Sequence, residues 1–308
     1  MATVDTLRQQ FNVEGVRFGT NNGLVYVQIA TPDVISTIYV QGAHLTAWQP
    51  EGFEPVILLS HTSEFAAGKA IRGGIPVVFP WFADDRKRDR VDGHPGPFHG
   101  FARLQEWSLD AVKRVKDTVQ MTFTLGPTDL SRSMGYDHFQ LSLEFHLGRE
   151  LTMRLTVTNT GDTPLPFEEA FHTFFRVMDV HEATIAGLET VKYIDKTDAM
   201  AVKPADDEPI AFTKKVDRVY GNTTGPYVIH DVAGRRRIFL DKSGSKSTIV
   251  WNPWAAMPDL GEWDWHEMVA METGNVGDNG LVLAPGAHAT MGSRVKLEHG
   301  DRRQDTGA

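Results

Sequence analysis

His172 and Glu272 are the two side chains in this sequence best suited to carrying protons in a reaction. His172 lies in FEEAFHTFFRV (167–177), among four phenylalanines and after two adjacent glutamates. An imidazole has an ordinary pKa near 6.5, so it can give and take a proton at neutral pH. In a strand, His172 would share a face with Phe174 and Arg176, which is compatible with a pocket wall. Taken alone, a histidine among aromatic residues is more often a hydrogen-bonded core side chain.

Glu272 closes the run HEMVAME (266–272) and is followed by Thr-Gly, where a strand gives way to a turn. A carboxyl group beside buried apolar residues has a raised pKa and can serve as a base. The surrounding stretch holds four of the seven tryptophans: Trp251, Trp254, Trp263 and Trp265. Aromatic rings suit the C–H face of a sugar, and carboxylates and amides bind its hydroxyls. These residues favour a carbohydrate site over a rim-exposed glutamate near core tryptophans.

Two segments rich in glycine and proline carry arginines suited to binding an anion. In KAIRGGIPVVFPWFADD (69–85), Arg72 precedes two glycines that let a ligand approach the backbone, and prolines fix the loop. In GHPGPFHGFARLQEW (93–107), Arg103 follows His99 by four residues, so both could line one loop wall. A guanidinium group can bind a carboxylate or a phosphate through two hydrogen bonds. The competing interpretation is a surface arginine beside a turn.

The second of these segments also contains two histidines, His94 and His99, that could contribute to a metal site. No recognisable set of further ligands accompanies them, and the intervening prolines and glycines resist a helix that would align them. We therefore predict no metal site. The neighbouring DDRKRDR (84–90) has charges that largely cancel, which favours a solvated loop over a phosphate site.

The composition of the 308 residues, 41% hydrophobic and 23% charged, is ordinary for a soluble globular protein. A formal charge of -9 argues against a general nucleic-acid binder, because phosphate backbones attract a positive surface. Without cysteine, neither disulfides nor thiolate chemistry are available. The start of the chain lacks the apolar run of a signal peptide, and no segment is long and apolar enough to span a bilayer. We expect a cytoplasmic protein that binds neither nucleic acid nor a membrane.

The elements that must position these groups are β-strands, because most of the chain alternates apolar and polar residues. The alternation is clearest in 118–125, 139–147 and 151–159, and the short connection between the last two predicts a hairpin. Further strands are expected at 24–30, 34–40, 236–240, 247–251, 266–272 and 289–298. Only TLRQQFN (6–12) indicates a short helix, and no repeat or linker is visible. The prediction is one large antiparallel β-domain over residues 1–308, with a polar tail from about residue 299.

Six motifs, in this order, resemble those of a known family: IRGGIPVVFPWF, HGFAR followed by W, FHTFFRV, VDRVY, IVWNPW and METGN. From about Leu24 to Leu297, the chain resembles the hexose-6-phosphate mutarotases, also called glucose-6-phosphate 1-epimerases, of the aldose 1-epimerase superfamily. The resemblance implies an all-β galactose-mutarotase-like supersandwich of large antiparallel sheets with an open cleft. It also implies a sugar phosphate as the partner and no metal or organic cofactor. We expect a monomer.

The same resemblance implies catalytic roles for His172 and Glu272. Glu272 would act as the base that removes the proton from the C1 hydroxyl of the sugar. A protonated His172 would act as the acid that donates a proton to the ring oxygen, and the roles would reverse on reclosure. The arginines of RGGIP and HGFAR, which are Arg72 and Arg103, would bind the phosphate.

Two further positions are implied to line the sugar site: Asp217 in VDRVY, and His99 before GFAR. The sequence also departs from the family pattern twice. Thr273 stands where a proline is expected, and Phe98 stands where some relatives carry a polar residue that touches substrate. Glutamate and histidine are both present, so these departures bear on substrate preference rather than on the type of reaction.

Two other functions are compatible with the same residues. One is a noncatalytic carbohydrate-binding or sugar-phosphate-sensing β-sandwich, which the presence of His172 and Glu272 disfavours. The other is a glycoside hydrolase, which needs two carboxylates flanking the bond, here Glu272 with Glu168 or Glu169. We rank the mutarotase first, the binding protein second and the hydrolase third.

Overall fold

The computed structural model describes residues 3–84 and 96–300, and this part of the chain consists mainly of β-strands. The two α-helices within it are short: α1 is Val4–Gln10 and α2 is Asp129–Ser133. The strands, in chain order, are β1 Val16–Asn21, β2 Leu24–Ala30, β3 Val34–Tyr39, β4 His44–Pro50, β5 Val77–Val78, β6 Ser108–Val115, β7 Thr118–Leu125, β8 Phe139–Leu147, β9 Leu151–Asn159, β10 Leu165–Phe167, β11 Glu169–Phe171, β12 Phe174–Arg176, β13 Ala183–Ala186, β14 Tyr193–Asp195, β15 Ala201–Lys203, β16 Ile210–Ala211, β17 Val216–Gly221, β18 Tyr227–Asp231, β19 Arg236–Ser243, β20 Ser247–Asn252, β21 Met268–Asn275, β22 Leu281–Leu283 and β23 His288–His299. The prediction of large antiparallel sheets with few helices is confirmed.

Helix α1 confirms the helix expected near the start of the chain. It begins after Thr3, whose side chain accepts a hydrogen bond from the backbone N–H of Thr6. The Thr6 side chain bonds back to the backbone of Thr3, so the first turn is capped in both directions. Leu7 is the buried residue through which the helix packs on the core.

The larger sheet has nine strands in the order β16-β13-β18-β19-β23-β9-β8-β7-β6. Its apolar and polar residues alternate as the sequence predicts: in β8 every second side chain, from Phe139 to Leu147, is buried. Strands β8 and β9 pair along their whole length, so the predicted hairpin is confirmed. The buried face of this sheet forms much of the main core.

The second large sheet has eight strands, ordered β15-β14-β17-β20-β21-β11-β5, with β12 also pairing with β21. One face of it contributes to the main core, through residues that include Phe171, Phe175, Tyr220, Val250 and Met271. The opposite face carries a separate apolar cluster that includes Phe174, Ala270 and Trp251. This second face is the surface that bears the candidate site.

The register between the segment 169–176 and β21 brings His172 opposite Glu272. Phe171 pairs with Thr273 and Phe174 pairs with Ala270, so the register is unchanged across the two residues between β11 and β12. The sequence analysis considered a strand here only to ask which side chains would share a face with His172. The structure interrupts it at His172 and Thr173, where the Thr173 N–H donates to the carbonyl of Phe171 at 3.0 Å. The interruption falls at the predicted catalytic histidine.

Two smaller sheets complete the described structure: β1-β2-β3-β4 and the pair β10-β22. In residues 3–84 and 96–300, no helix is long and apolar enough to cross a membrane. Part of the predicted polar tail, from residue 301, lies outside the described residues, as do His94 and residues 85–90 of the charged loop.

Candidate active site

His172 and Glu272 form a buried pair on the face of the eight-stranded sheet that points away from the main core. The Nε2 atom of His172 lies 3.3 Å from Oε1 of Glu272, and their side chains are 8% and 2% exposed. The backbone N–H of His172 donates to the carbonyl of Pro76 at 3.0 Å, which fixes the residue from the other side. Its ring stacks on Phe174, with centroids 4.6 Å apart. Opposite residues of antiparallel strands have neighbouring side chains, and the register therefore accounts for the contact.

Burial shifts the pKa values of the two groups in opposite directions, because it disfavours the charged form of each. It raises the pKa of Glu272 well above its usual range, the charge of Lys196 opposes this shift, and that of Asp217 adds to it. Burial also lowers the pKa of His172 well below 6.5, and the positive charges of Arg72 and Arg103 act in the same direction. Both shifts favour a protonated carboxyl group beside a neutral imidazole. The mechanism inferred from the sequence needs the same single proton, but on His172.

Each member of the pair keeps a second polar atom for another partner. Nδ1 of His172 and Oε2 of Glu272 are buried and have no hydrogen-bond partner among the described residues. Buried polar atoms are nearly always hydrogen-bonded in folded proteins, and exceptions concentrate at sites of binding or catalysis. These atoms are available to hydroxyl groups of a bound ligand.

Arg72 lies against two aromatic rings of the same face. Its guanidinium carbon is 5.3 Å from the ring centroids of both Phe174 and Trp251. Its Nε atom is 3.2 Å from Oδ2 of Asp259, a residue of the loop after β20. Stacking on two rings and pairing with one carboxylate hold the guanidinium beside the ring that supports His172.

Arg103 lies close enough to Arg72 for the two charges to repel. Burial, with the positive charge of Arg72, lowers the pKa of Arg103 to about 10. Its Nη2 atom donates to the carbonyl of Phe98 at 2.7 Å, while its buried Nε has no partner among the described residues. The carboxylate of Asp259, which pairs with Arg72, opposes this shift and offsets part of the repulsion between the two guanidinium groups.

The backbone before β5 positions Arg72 through two glycines. Gly73 and Gly74 have φ of +89° and +69°, values that favour glycine. A Cβ atom on Gly73 would lie 2.6 Å from the carbonyl oxygen of Leu58. The buried ring of His44 holds the same turn, because its Nε2 donates to the Gly73 carbonyl at 2.8 Å. The glycines therefore serve the loop geometry that brings Arg72 to the site.

His99 packs against His172 as a neutral imidazole. The Ala83 N–H donates to its Nδ1 at 3.1 Å, so the ring proton is on Nε2. Burial lowers the pKa of His99, and the nearby charge of His172 acts in the same direction. The two rings meet edge to face with centroids 5.2 Å apart. His99 also has φ of +63°, which is uncommon for a residue with a side chain and typical of functional sites.

Residues 27–296 match the family model described as aldose 1-epimerase. The chain belongs to the aldose 1-epimerase family. It is 31% identical to a protein from Cenchrus ciliaris over 81% of this chain and 77% of that protein. It is 32% identical to a protein from Escherichia coli (strain K12) over 79% of this chain and 80% of that protein. Both relatives carry the name "Putative glucose-6-phosphate 1-epimerase".

Comparison with solved structures agrees with this family. A crystal structure from Salmonella typhimurium, described as a "putative mutarotase", superposes with a TM-score of 0.84 and 26% identity. The superposition covers 92% of this chain and 94% of the other. The predicted mutarotase-like supersandwich is therefore confirmed for this epimerase-family protein. Membership of the family supports an isomerase with sugar mutarotase activity.

In this aldose 1-epimerase family member, Asp217 lies on the same sheet face as the catalytic pair. It belongs to β17, and its side chain is 17% exposed. Its Oδ1 atom is 3.4 Å from Nζ of Lys196, and its charge is one of those that act on Glu272. All six residues singled out from the sequence are therefore linked by contacts or by charge to one site. Their roles stay predictions.

The sequence analysis missed three residues of this epimerase-family site: His44, Lys196 and Asp259. None belongs to a motif that marks chemistry, and each reaches the site only through folding. A weak signal existed for Asp259, because it lies in the tryptophan-rich stretch between two strands. The lysine and His44 had no signal, since a single residue in a strand-and-turn pattern is typical of any surface or core position.

The tryptophan-rich stretch contributes less to the site than its composition indicated. Within the described residues, Trp251 is the tryptophan whose ring contacts His172, at 6.4 Å between centroids, and Arg72. Trp254 and Trp265 contact each other and His181, with ring centroids 4.7 to 6.0 Å apart. The four rings therefore do not form one platform beside the catalytic pair.

Neither glutamate considered as a second hydrolase carboxylate is directed at Glu272. Glu168 accepts hydrogen bonds from the backbone N–H groups of Phe82 and Gly277, each at 2.7 Å. Glu169 is buried on the other face of the sheet, where Asn275 donates to it at 2.9 Å. Because backbone N–H groups bind Glu168 and Asn275 binds Glu169, neither carboxyl group is favoured as the second carboxylate of a hydrolase.

Proposed function

We propose that this protein interconverts the α and β anomers of a hexose 6-phosphate, with glucose 6-phosphate as the first substrate to test. One observation carries the proposal: a histidine and a glutamate lie 3.3 Å apart, and the positive charges of Arg72 and Arg103 act on that histidine. The pair supports proton transfer at C1, and the arginines support recognition of an anionic group elsewhere on the sugar. The names of the two relatives, given above, point to the same substrate.

The reaction opens the pyranose ring and closes it on the other face of the aldehyde. Glu272 takes the proton of the C1 hydroxyl as the C1–O5 bond breaks, and His172 gives a proton to the ring oxygen. Rotation about C1–C2 then exposes the other carbonyl face, and the protons return by the reverse steps. A positioned acid or base commonly contributes about 10²–10⁴-fold to a rate.

The protonation needed for these roles is reached by moving one proton across the His172–Glu272 contact. Free, the pair favours the neutral imidazole and the protonated carboxyl group. Transfer from Oε1 to Nε2, which are 3.3 Å apart, gives the imidazolium and the carboxylate without exchange with solvent. The total of one proton is constant through the cycle, as a reversible isomerisation requires.

Anomer exchange measured by NMR on the purified protein tests the catalytic roles. Glu272→Gln and His172→Asn should each lower the exchange rate of glucose 6-phosphate by about 100-fold or more. His146→Asn, on the half-buried face of β8, is a matched control and should keep the full rate. Full activity in either site variant would reject the assignment. Sugar binding with no exchange in the wild type would favour the binding-protein alternative.

Arg103 offers a separate test of the phosphate. Arg103→Ala should reduce kcat/KM for glucose 6-phosphate by about 10-fold or more and change that for glucose little, because a charge-assisted hydrogen bond to phosphate is lost. Equal losses with both sugars would refute phosphate recognition by this residue.

A cytoplasmic location and a monomeric state stay predictions.

A further inference from the structure

Lys196 reaches across the open face of the eight-stranded sheet toward the catalytic pair. Its backbone N–H donates to the carbonyl of Asp217 at 2.8 Å, which continues the pairing of β14 with β17 by one step. Its Nζ atom is 3.4 Å from Oδ1 of Asp217 and 5.6 Å from the ring centroid of Phe82. Phe82 in turn packs on the cluster that contains Ile249, the neighbour of Glu272 in β20.

These two contacts hold the ammonium group beside Asp217, on the sheet face that also bears Glu272. The lysine side chain is only 27% exposed, although a lysine normally extends into water. Phe82 also touches His99, at 4.8 Å between ring centroids, so the far end of the lysine lies next to the sugar-site wall. An aliphatic stem held between a carboxylate and a ring loses much of its freedom, and its charge acts from a defined position.

The charged groups that act on Glu272 come from four segments: His172 between β11 and β12, Asp217 on β17, Arg72 before β5, and Lys196 after β14. Among the cations, Lys196 has the largest effect on Glu272, ahead of Arg72. On His172 the order is reversed: the charges of Arg72 and Arg103 lower its pKa more than the charge of Lys196 does. The lysine therefore favours the carboxylate more specifically than it opposes the imidazolium.

We propose that Lys196 is a positioning residue of the catalytic site: held by Asp217 and Phe82, its ammonium group supplies the positive charge opposite the carboxylate of Glu272. Burial alone would leave Glu272 protonated and unable to take the C1 hydroxyl proton. The lysine makes the form with a carboxylate and an imidazolium accessible. The inference deepens the proposed function and rests on it for its catalytic consequence, while its electrostatic content can be tested without substrate.

The direct test is a ¹³C NMR titration of the Glu272 carboxyl carbon in protein labelled at glutamate, with Glu272→Gln to assign the signal. In Lys196→Met, the apparent pKa of Glu272 should rise relative to the wild type. Lys196→Arg should return it toward the wild-type value. The control is Lys203→Met. Lys203 lies on the edge strand β15 and pairs with Asp198, so its removal should leave the pKa of Glu272 unchanged.

Kinetics then connect the charge to the reaction. Lys196→Met should lower kcat for anomer exchange at pH 7 by about 10-fold and change KM by no more than about 2-fold. The alkaline limb of its pH–rate profile should move to higher pH. An unchanged Glu272 titration in Lys196→Met would overturn the proposal, whatever the rate. If the titration moves as expected but the wild type catalyses no exchange, the proposed function fails and the electrostatic role of Lys196 stands.

Discussion

At the scale of single residues, burial raises the pKa of two glutamates on the two faces of one sheet, but the groups around them differ. Glu272 faces the candidate site, where Lys196 and Arg72 partly offset the effect of burial on its pKa. Glu169 faces the interior, where burial raises its pKa to about 8, opposed only by a hydrogen bond from Asn275. Its Oε2 atom has no partner among the described residues, so little there stabilises a negative charge on this carboxyl group. Glu272 therefore lies where the proposed reaction needs a base, whereas the burial of Glu169 costs stability as the pH rises.

We predict that Glu169→Gln stabilises the protein at alkaline pH. Between pH 4.5 and about 8 the folded protein keeps a proton on Glu169 that the unfolded chain has lost. The wild-type free energy of unfolding therefore falls as pH rises through this window, by at most about 1.4 kcal/mol per pH unit. Glutamine keeps the shape without the charge, so the variant should match the wild type near pH 5 and exceed it near pH 8. Denaturant unfolding at both pH values measures this.

The control for that experiment is Glu144→Gln on the exposed side of β8, which should change stability little at either pH. A Glu169→Gln variant whose advantage is the same at pH 5 and pH 8 would contradict the prediction, because the effect would then be unrelated to proton binding.

Sequence reasoning found residues whose chemistry is carried by their own type and missed those whose role depends on neighbours. His172, Glu272, Arg72 and Arg103 stand in motifs and converge in the fold. Lys196 has no such motif, because its effect comes from a strand pairing with β17 and a ring from another loop. The protonation of the pair was also beyond the sequence, since burial decides it and burial follows from packing.

At the scale of elements, the site depends on short irregular stretches between strands. The strand carrying His172 is interrupted at that residue, and the loop carrying Arg72 turns at two glycines. Period-two alternation predicted the regular strands, such as β8, because each buries one face. It could not predict the interruption at 172–173, because the flanking residues Phe171 and Phe174 continue the apolar pattern on both sides.

The turn before β5 provides the prediction at this scale. Gly73→Ala should destabilise the protein by about 1–3 kcal/mol for two reasons. The alanine would have to adopt the left-handed φ of this position, and its Cβ atom would lie 2.6 Å from the Leu58 carbonyl oxygen. The displaced Arg72 should also raise KM for glucose 6-phosphate more than KM for glucose. Thermal unfolding and NMR exchange kinetics measure the two effects.

Gly52→Ala is the matched control for this turn. Gly52 also has a left-handed φ, +82°, but a Cβ atom there would meet nothing within 4 Å. It should therefore show the backbone cost alone, about 1 kcal/mol, with unchanged kinetics. If Gly73→Ala behaves like Gly52→Ala in both measurements, close packing of the turn does not position Arg72.

At the scale of the whole molecule, the candidate site depends on how the two large sheets are held together. Arg236 on β19 of the nine-stranded sheet is 2% exposed and pairs with the fully buried Asp231 at 2.9 Å. The same guanidinium group donates to the carbonyls of Glu54 and of Arg176, and Arg176 ends the strand β12 beside the site. One arginine therefore joins both sheets at the edge of the site strand.

Removing this arginine should destabilise the whole fold. Arg236→Met leaves the charge of Asp231 buried without its partner, and breaking a buried ion pair from one side costs about 3–5 kcal/mol. Denaturant unfolding should show the loss as a lower midpoint with a similar slope, because the sheets share one core. Arg237→Met, one residue along β19, breaks the exposed pair with Glu298 and a contact with the ring of Phe239, and should cost less than about 1 kcal/mol. Equal losses in the free energy of unfolding of the two variants would show that the buried ion pair contributes no more to stability than the exposed one.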